Sequence, residues 1–584
     1  MVIDDAVAPA PVSAEARLRV AIVGQGPKGT FALERLLDRA AALGSGERVE
    51  VDLFEPHQVP GAGPVYDPGQ PDYLRMNFPA GRIDMWWASS ETVPASRRLS
   101  FTSWARKIGE GVEDEGYPPR ALVGRYLAEG HETIVRHAPA QIEVELHRAR
   151  VEAIRRWGPR WELFAGGERR EYDEVLIATG HETSWVEGLE ASFEHPTALI
   201  PAVFPVDERL SLEAVAPGST VAVRGFGLSF IDAALALTEG RGGRFEQTGH
   251  PYRLLYVAGR DDAARILPFS RTGLPMLPKP SAGMGLPGAE MERIASQGRA
   301  RIAGLGPHFG FEDDLLGAIA ATAVEVLTAA HGGVAERGWL REARELLVGS
   351  SNGEERIGEV DPVEEIERGL AIGAGLRAPD VEWAVGHGWR LLYPALVERL
   401  GGEGLGEDDW PSFHGLARCM ERLAFGPAPV NAAKLLALID AGRVELSHLA
   451  GGQLASAEGH TWLESGNGAA EVDAVVDAVL PGPGAEEMCG GLLGQLVRDG
   501  YARIAPARRG LEVSPDGGCT GSDGALSRGL SAIGRPTEDS VIGNDTLDRT
   551  LHPQADRWAE RVIERCRRIG SGAELETALS GVCA

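Results

Sequence analysis

Short runs of aliphatic and β-branched residues alternate along this chain with stretches in which apolar residues return every three or four positions. That alternation predicts an α/β architecture. Residues Leu18 to Val23 are almost continuously apolar, as a parallel strand buried on both faces requires. Phe31, Leu33, Leu36, Leu37 and Ala40 then recur at helical spacing until Gly44 and Gly46, and Val49 to Phe54 predicts a second strand. The same order returns later: a strand at Val221 to Arg224, an apolar helix from Leu228 to Leu237, and a strand at Tyr252 to Val257. A buried strand is also expected at Glu171 to Gly180. From about residue 290 to 428 the chain is rich in Ala, Leu and Glu at helical spacing, as in Leu315 to Leu327, with a polar break at Ser350 to Glu355. Ala432 to Ile439 predicts one more helix, after which Val444 to Ser447 returns the chain to the second sheet.

Both strand-to-helix junctions are glycine-rich turns, and their chemistry points to dinucleotides. In the first, Gly24 permits a tight turn, Gly26 lets the backbone approach a pyrophosphate, and Gly29 lets the helix pack closely on the strand. Pro27 stands in the same turn, and the helix N-terminus beyond it offers unpaired N–H groups and partial positive charge to phosphates. Glu55 closes the second strand, where a carboxylate binds the adenosine ribose hydroxyl. The alternative is an ordinary glycine-rich turn. The second turn keeps Gly225, Gly227 and Ser229, but Phe230 stands in place of the third glycine, which loosens close packing. Its following strand ends at Gly259-Arg260 instead of at an acid. A cation there suits a 2′-phosphate and favours NADP(H), the alternative being a solvated surface arginine. Two dinucleotides held side by side allow a hydride to pass from a nicotinamide to a flavin.

Composition narrows the partners. The formal charge of −27 over 584 residues repels a phosphate backbone, so nucleic acid is not an expected partner. There is no apolar run of about 18 residues and no basic region preceding an apolar stretch at the N-terminus, so no membrane span or signal is expected and the location is read as cytoplasmic. The cysteines, Cys419, Cys489, Cys519, Cys566 and Cys583, form no CxxC pair, and the histidines lack the spacing of zinc motifs, so no metal is implied.

The segments Gly61 to Tyr66 and Leu74 to Trp87 resemble the FAD/NAD(P)-binding family of actinobacterial flavoproteins related to N-hydroxylating flavin monooxygenases. The resemblance implies that Met76, Asn77 and Asp84 lie along the flavin, and that Ala178-Thr179-Gly180 closes the first half of the FAD domain. Ser100 to Leu127 is similar to the segment where a proline–arginine turn precedes a helix, although a Pro-started helix packing Leu122, Tyr126 and Leu127 inward accounts for those residues equally well. Asp473 to Pro481 resembles the second return strand, and Gly529 to Glu538 the strand that closes over the flavin. Where many flavoproteins carry Asp after Gly534, Arg535 follows here, and Asn544 and Asp545 are the nearest candidates.

The organisation expected is therefore two Rossmann-like dinucleotide-binding domains with a helical insertion. An FAD domain spans 1–215 and 470–584, an NADP domain spans 216–289 and 429–469, and a helical cap spans 290–428. The resemblance implies reduction of FAD by NADPH, reaction with O2 to a C4a-hydroperoxyflavin, and oxygen transfer to an amine. Some members of the family oxidise L-aspartate to nitrosuccinate. A dicarboxylate calls for forked guanidinium donors, and Arg82, Arg271 and Arg535 are the candidates, with Asn77 beside the flavin, each having a structural or phosphate-binding alternative. A flavin reductase, an S- or C-oxygenating monooxygenase, and a non-catalytic dinucleotide sensor remain open, as does assembly into a homo-oligomer.

Overall fold

The computed structural model describes residues 16–44, 46–180, 188–189, 197–280, 288–354, 360–401, 404–457, 459–480, 482, 491–544 and 546–570. Asp545, Cys489 and Cys583 lie outside these residues, as does Glu355.

The first sheet has six strands in the order Gly518–Thr520, Leu526–Ala532, Glu174–Ile177, Ala16–Val23, Glu47–Phe54 and Ile142–His147. All pairs are parallel except the first, and Val23 faces both Phe54 and Ile177. The near-continuous apolar run at Leu18 to Val23 follows from burial on both sides. Leu18, Val20 and Ile22 pack under the helices Pro27–Ala40 and Gln554–Gly570, while Ala21 and Val23 pack against the antiparallel strands Val151–Trp157, Arg160–Ala165 and Glu168–Tyr172.

A second sheet has four parallel strands in the order Arg265–Phe269, Thr220–Arg224, Ala474–Asp477 and Ala198–Ile200. Two expectations change here. Residues 198–200 and 474–477, placed with the first unit by boundaries at 215 and 470, pair into this second sheet, because Val475 and Val476 extend the buried register of Ala222 and Val223. The strand expected at Tyr252 to Val257 is also not the neighbour of Thr220–Arg224. Leu254–Val257 forms an antiparallel hairpin with Arg244–Gln247 outside the sheet, leaving Leu255 exposed, and Arg265–Phe269 takes the position beside the glycine turn. Val444 reaches the sheet edge through an isolated bridge to Ile266.

The intervening residues are helical: Gly288–Ala303, Gly317–Ala330, Trp339–Ser351, Pro362–Gly373, Val381–Leu400 and Trp410–Ala424. The starts of two of these helices are set locally, since Asp361 and Asp380 accept hydrogen bonds from the first-turn amides. Most pack on one apolar core, but Ile366 and Leu370 enter the core of the second sheet, which anchors the helical unit to it. No helix among the described residues is long and apolar enough to cross a membrane.

A buried ion cluster ties the helical unit to the C-terminal part of the first unit. Asp539, 1% exposed and at φ +65°, accepts from the Arg509 amide (2.8 Å), Nε (2.9 Å) and Nη2 (2.7 Å), and from Nε2 of His414 (3.0 Å). Burial pushes this carboxyl up, but the Arg509 and His414 hydrogen bonds outweigh it and hold the pKa well below the ordinary carboxylate value. A depressed folded-state pKa contributes stability above the unfolded-state value, and that contribution is lost as pH falls through the acid range toward the folded-state value. Asp539→Ala is expected to cost about 1–3 kcal/mol, because Arg509 loses its charge-assisted hydrogen bonds and keeps only the longer pairing with Glu538 (3.9 Å). Comparing the variant with the parent by thermal unfolding at pH 7 and at about pH 3, below the ordinary Asp value, checks both parts: the gap between them should narrow at the lower pH.

Candidate functional site

The first glycine turn is cut to fit a ligand. Gly24 has φ +95°, and a Cβ on it would stand 2.7 Å from the carbonyl oxygen of Ala178. A Cβ on Gly29 would lie 2.0 Å from the Gly24 carbonyl oxygen, so no larger residue closes the turn. Gly26 caps the helix without any side-chain hydrogen bond, Pro27 takes the first helical position, and the first turn carries no acid. Gly61 donates to the Gln25 carbonyl (2.6 Å), folding Gly61 to Gly63 over the turn. Glu55, 4% exposed, accepts from the amides of Gln25 (2.8 Å) and His57 (2.9 Å), locking the strand end to the turn. Each of its oxygens keeps a second lone pair for a ribose hydroxyl. Oε1 of Gln25 and Oγ1 of Thr179 are buried here without a hydrogen-bond partner, and Gly180 beside them is exposed. Glycine cradle, uncapped helix and orphaned oxygens together fit the pyrophosphate and ribose of a dinucleotide.

Beyond the turn, Lys28, Trp87, Gly534, Asn544, Arg549 and Gln554 are among the residues lining a pocket. Gly534 has φ +76° and Arg535 opens the short turn Arg535–Thr537. Asn544 donates to Glu538 (3.0 Å) and the Val541 carbonyl (3.0 Å), while its Oδ1 and Nε2 of Gln554 are buried without partners. Arg549 lies 4.2 Å over the Phe31 ring and pairs with Glu34 (3.0 Å), a role that lacks any local sequence signal.

Met76 is buried, and its amide donates to the Pro118 carbonyl. Asp84 accepts from the Trp86 amide (2.9 Å) and the Tyr126 hydroxyl (3.3 Å); burial raises its pKa against those bonds. Tyr126, read from the sequence as core, thus also positions this carboxylate. Asn77 donates from Nδ2 to the Phe425 carbonyl (2.9 Å), 348 residues away, which joins the segment after the first turn to the end of the helical unit.

At the second turn Gly225 has φ +105° and donates to the Phe269 carbonyl (2.8 Å); Gly227 caps the helix Leu228–Ala236, and Ser229 lies buried in its first turn. Phe230 is fully buried with its ring 5.1 Å from Phe226. Arg120 pairs with buried Asp232 at 2.8 Å, fastening this helix to the first unit. The position expected for Arg260 does not hold. Asp262 bonds to Gly218 ahead of the strand Thr220–Arg224, so exposed Arg260 sits at the end of the sheet opposite Gly225. The reason is the hairpin: it carries the chain back before Arg265–Phe269 begins. Arg271 follows the strand whose last residue, Phe269, faces Arg224, and so stands at the turn's own end of the sheet.

Arg82 belongs to a group of cations contributed by separate segments. Lys279 is 5% exposed, with Nζ 5.0 Å from the Phe425 ring. Arg390 donates to the Ala424 carbonyl (3.0 Å) and lies 3.0 Å from Nδ1 of His387, whose Nε2 is buried without a partner. The Tyr117 hydroxyl donates to the Pro280 carbonyl (3.1 Å). Burial, then the facing charges of Arg390 and Arg82, hold the Lys279 pKa well below its ordinary value; burial brings Arg390 down to about 10 and pushes Tyr117 up to about 12. Arg82, exposed, stands at the edge of this group.

One further cluster, Asp52, Glu145 and His147, lies within 4.8 Å on the first sheet, but the Tyr172 hydroxyl already holds Asp52 at 2.5 Å.

The glycine cradle has a counterpart among known families. Residues 21–182 match the FAD-NAD(P)-binding family. The chain therefore carries an FAD-NAD(P)-binding segment, and that segment includes the first turn, Glu55, the Met76 to Asp84 stretch and Thr179. The chain is 32% identical over 304 residues to a nitrosuccinic acid synthase of Aspergillus oryzae, covering 50% of this chain and 45% of that protein. It is likewise 32% identical over 293 residues to an L-aspartate N-monooxygenase (nitrosuccinate-forming) of Streptomyces cremeus, covering 44% of this chain and 42% of the relative. The matched stretch thus spans less than half the length of each relative. An L-lysine 6-monooxygenase from Pseudomonas syringae superposes with a TM-score of 0.47 at 14% identity, over 94% of this chain and 99% of that one.

Proposed function

We propose that this chain is an FAD- and NADPH-dependent monooxygenase that N-oxygenates the amine of a small amino acid, L-aspartate, to nitrosuccinate. The observation that carries it is the shared 32% identity with two proteins named for nitrosuccinate formation, around an FAD-NAD(P)-binding segment whose glycine cradle is intact here.

Bound FAD supplies the redox chemistry with NADPH and O2. The chain's own residues do the rest. Gly24, Gly26 and Gly29 leave room for the pyrophosphate, Glu55 takes the ribose, and Thr179 and Asn544 offer their unpaired oxygens to the flavin nucleotide. The second turn, Gly225 to Ser229, takes the nicotinamide nucleotide, and Arg271 receives its 2′-phosphate in place of Arg260. Asn77, held to the Phe425 carbonyl, closes the helical unit against the flavin segment and excludes water from the space between them.

The test is direct. Purified protein should carry flavin, and aspartate should stimulate NADPH oxidation and O2 consumption with nitrite released from the product. Flavin present without aspartate-dependent nitrite would sink the substrate assignment. A flavin spectrum that NADPH fails to bleach would instead support a nucleotide sensor.

A further inference from the structure

The cation group around Lys279 has no role in holding either nucleotide as assigned above, and its make-up is unusual. Arg82 comes from the segment after the first turn, Lys279 from the segment after Arg265–Phe269, and His387 and Arg390 from the helix Val381–Leu400. Phe425 and its neighbours hold three of these elements together. The Phe425 carbonyl accepts from Asn77 (2.9 Å), its ring centre lies 5.0 Å from Lys279 Nζ, and the Ala424 carbonyl accepts from Arg390 (3.0 Å). The Lys279 amide itself donates to the Pro427 carbonyl (2.9 Å).

Among the described residues no carboxylate lies in ion-pair reach of Lys279, Arg390 or Arg82; the charged and titratable groups facing Lys279 are Arg82, Arg390 and His387, with Tyr117 and Glu115 beyond them. Glu382, the acid in the first turn of the helix that carries Arg390, is committed to Arg368 (2.7 Å) and Arg422 (3.2 Å). Buried cations are ordinarily paired. Buried Lys279 and half-buried Arg390, with exposed Arg82 at their edge, have no acid in ion-pair reach among the described residues and are joined through Phe425 to the segment that carries Asn77, so the anion for this group comes from outside.

We propose that Lys279, Arg390 and Arg82 receive the two carboxylates of a dicarboxylic amino acid, and that the Lys279 amine takes the proton its ammonium sheds before the nitrogen is oxygenated. The inference rests on the N-oxygenation assignment and names the residues that select its substrate. The two guanidinium groups offer forked donors to carboxylate oxygens. The surrounding positive charge that attracts carboxylates also disfavours a substrate ammonium. In the transfer, one N–H bond of the substrate ammonium breaks, its electron pair stays on the substrate nitrogen as the nucleophile, and a new N–H bond forms at Nζ of Lys279. The lysine is then a full cation facing two carboxylates. Burial and the facing charges of Arg390 and Arg82 disfavour the Lys279 ammonium until the carboxylates arrive, and their arrival favours proton transfer to Nζ.

Succinate, which has both carboxylates and no amine, tests the receptor without turnover. Titration calorimetry of the flavin-loaded protein near pH 8, in two buffers of different ionisation enthalpy, should show succinate binding with proton uptake, because the arriving dianion raises the basicity of Lys279. Propionate and inorganic phosphate should bind at least about tenfold more weakly. Lys279→Met should weaken succinate binding by about 10- to 100-fold and abolish the uptake. Lys279→Arg should keep succinate binding, lose the uptake, and shift aspartate oxidation to higher pH, a pattern that mere loss of packing does not produce; circular dichroism confirms that each variant is folded. Unchanged succinate affinity in Lys279→Met, or binding to the parent without proton uptake, overturns the proposal. Nitrite formed from aspartate with no succinate binding would remove the receptor and leave N-oxygenation standing. Succinate binding with uptake but no nitrite would do the reverse.

Discussion

Gly29→Ala protein is expected to emerge from purification colourless, with flavin per polypeptide reduced at least about tenfold. The added methyl would sit 2.0 Å from the Gly24 carbonyl oxygen, which is backbone and has no rotamer by which to move away. Relief requires opening the turn, and the turn is the pyrophosphate cradle. Overpacking of this kind costs about 1–3 kcal/mol even where side chains yield, so the melting temperature should fall as well. Gly46→Ala is the matched control: nothing lies within 4 Å of its Cβ position, and flavin content should be unchanged. Stoichiometric flavin in Gly29→Ala would show that the cofactor binds elsewhere. The measurement is visible flavin absorbance against protein concentration, before and after added FAD.

The second large effect concerns which reduced nucleotide the protein uses. Arg271→Ala should raise KM for NADPH by about 10- to 100-fold, the worth of lost charge-assisted hydrogen bonds to a 2′-phosphate, and leave KM for NADH nearly constant. Arg260→Ala should change neither. The contrast follows from topology: Arg271 lies just beyond Phe269, which bonds to Gly225 at the turn, while Arg260 precedes the strand at the opposite end of the sheet. Steady-state NADPH and NADH oxidation by the two variants decides it. Equal loss with both nucleotides in Arg271→Ala would mean that the arginine holds the protein rather than the phosphate.

The contrast between the two arginines also shows where sequence patterns mislead. Leu254 to Val257 looks more strand-like than Arg265 to Phe269, because Pro268 interrupts the second run. Yet Arg265–Phe269 is the outer strand of its four-stranded sheet, where a residue without an N–H is tolerated. Position at an edge is a property of the assembled sheet and leaves no mark in the local pattern. The boundaries at 215 and 470 missed 198–200 and 474–477 for a related reason: each is a short apolar run, and only pairing decides which sheet it completes.

The cation group was still less legible. Arg82 alone stood out, through its place beside the Met76 to Asp84 segment. Lys279 and Arg390 sit in unremarkable surroundings, one between two prolines and one within an apolar helix, and nothing in their spacing announces a shared site. Tertiary packing around Phe425 makes them neighbours.

The sequence by itself determined the first nucleotide-binding unit, from Leu18 through Glu55, because every requirement there is local: a strand buried on both faces, glycines where a Cβ collides with backbone, and an acid one residue past the strand. It likewise determined that a second glycine turn between a strand and a helix exists at Gly225 and that a helical stretch is inserted after it. Only the tertiary structure decided which strand flanks that second turn, hence which arginine stands at its end of the sheet, and which cations come together around Phe425. Those depend on strand order and on burial, and charges gathered from distant segments shift one another's chemistry only once water has been excluded from between them.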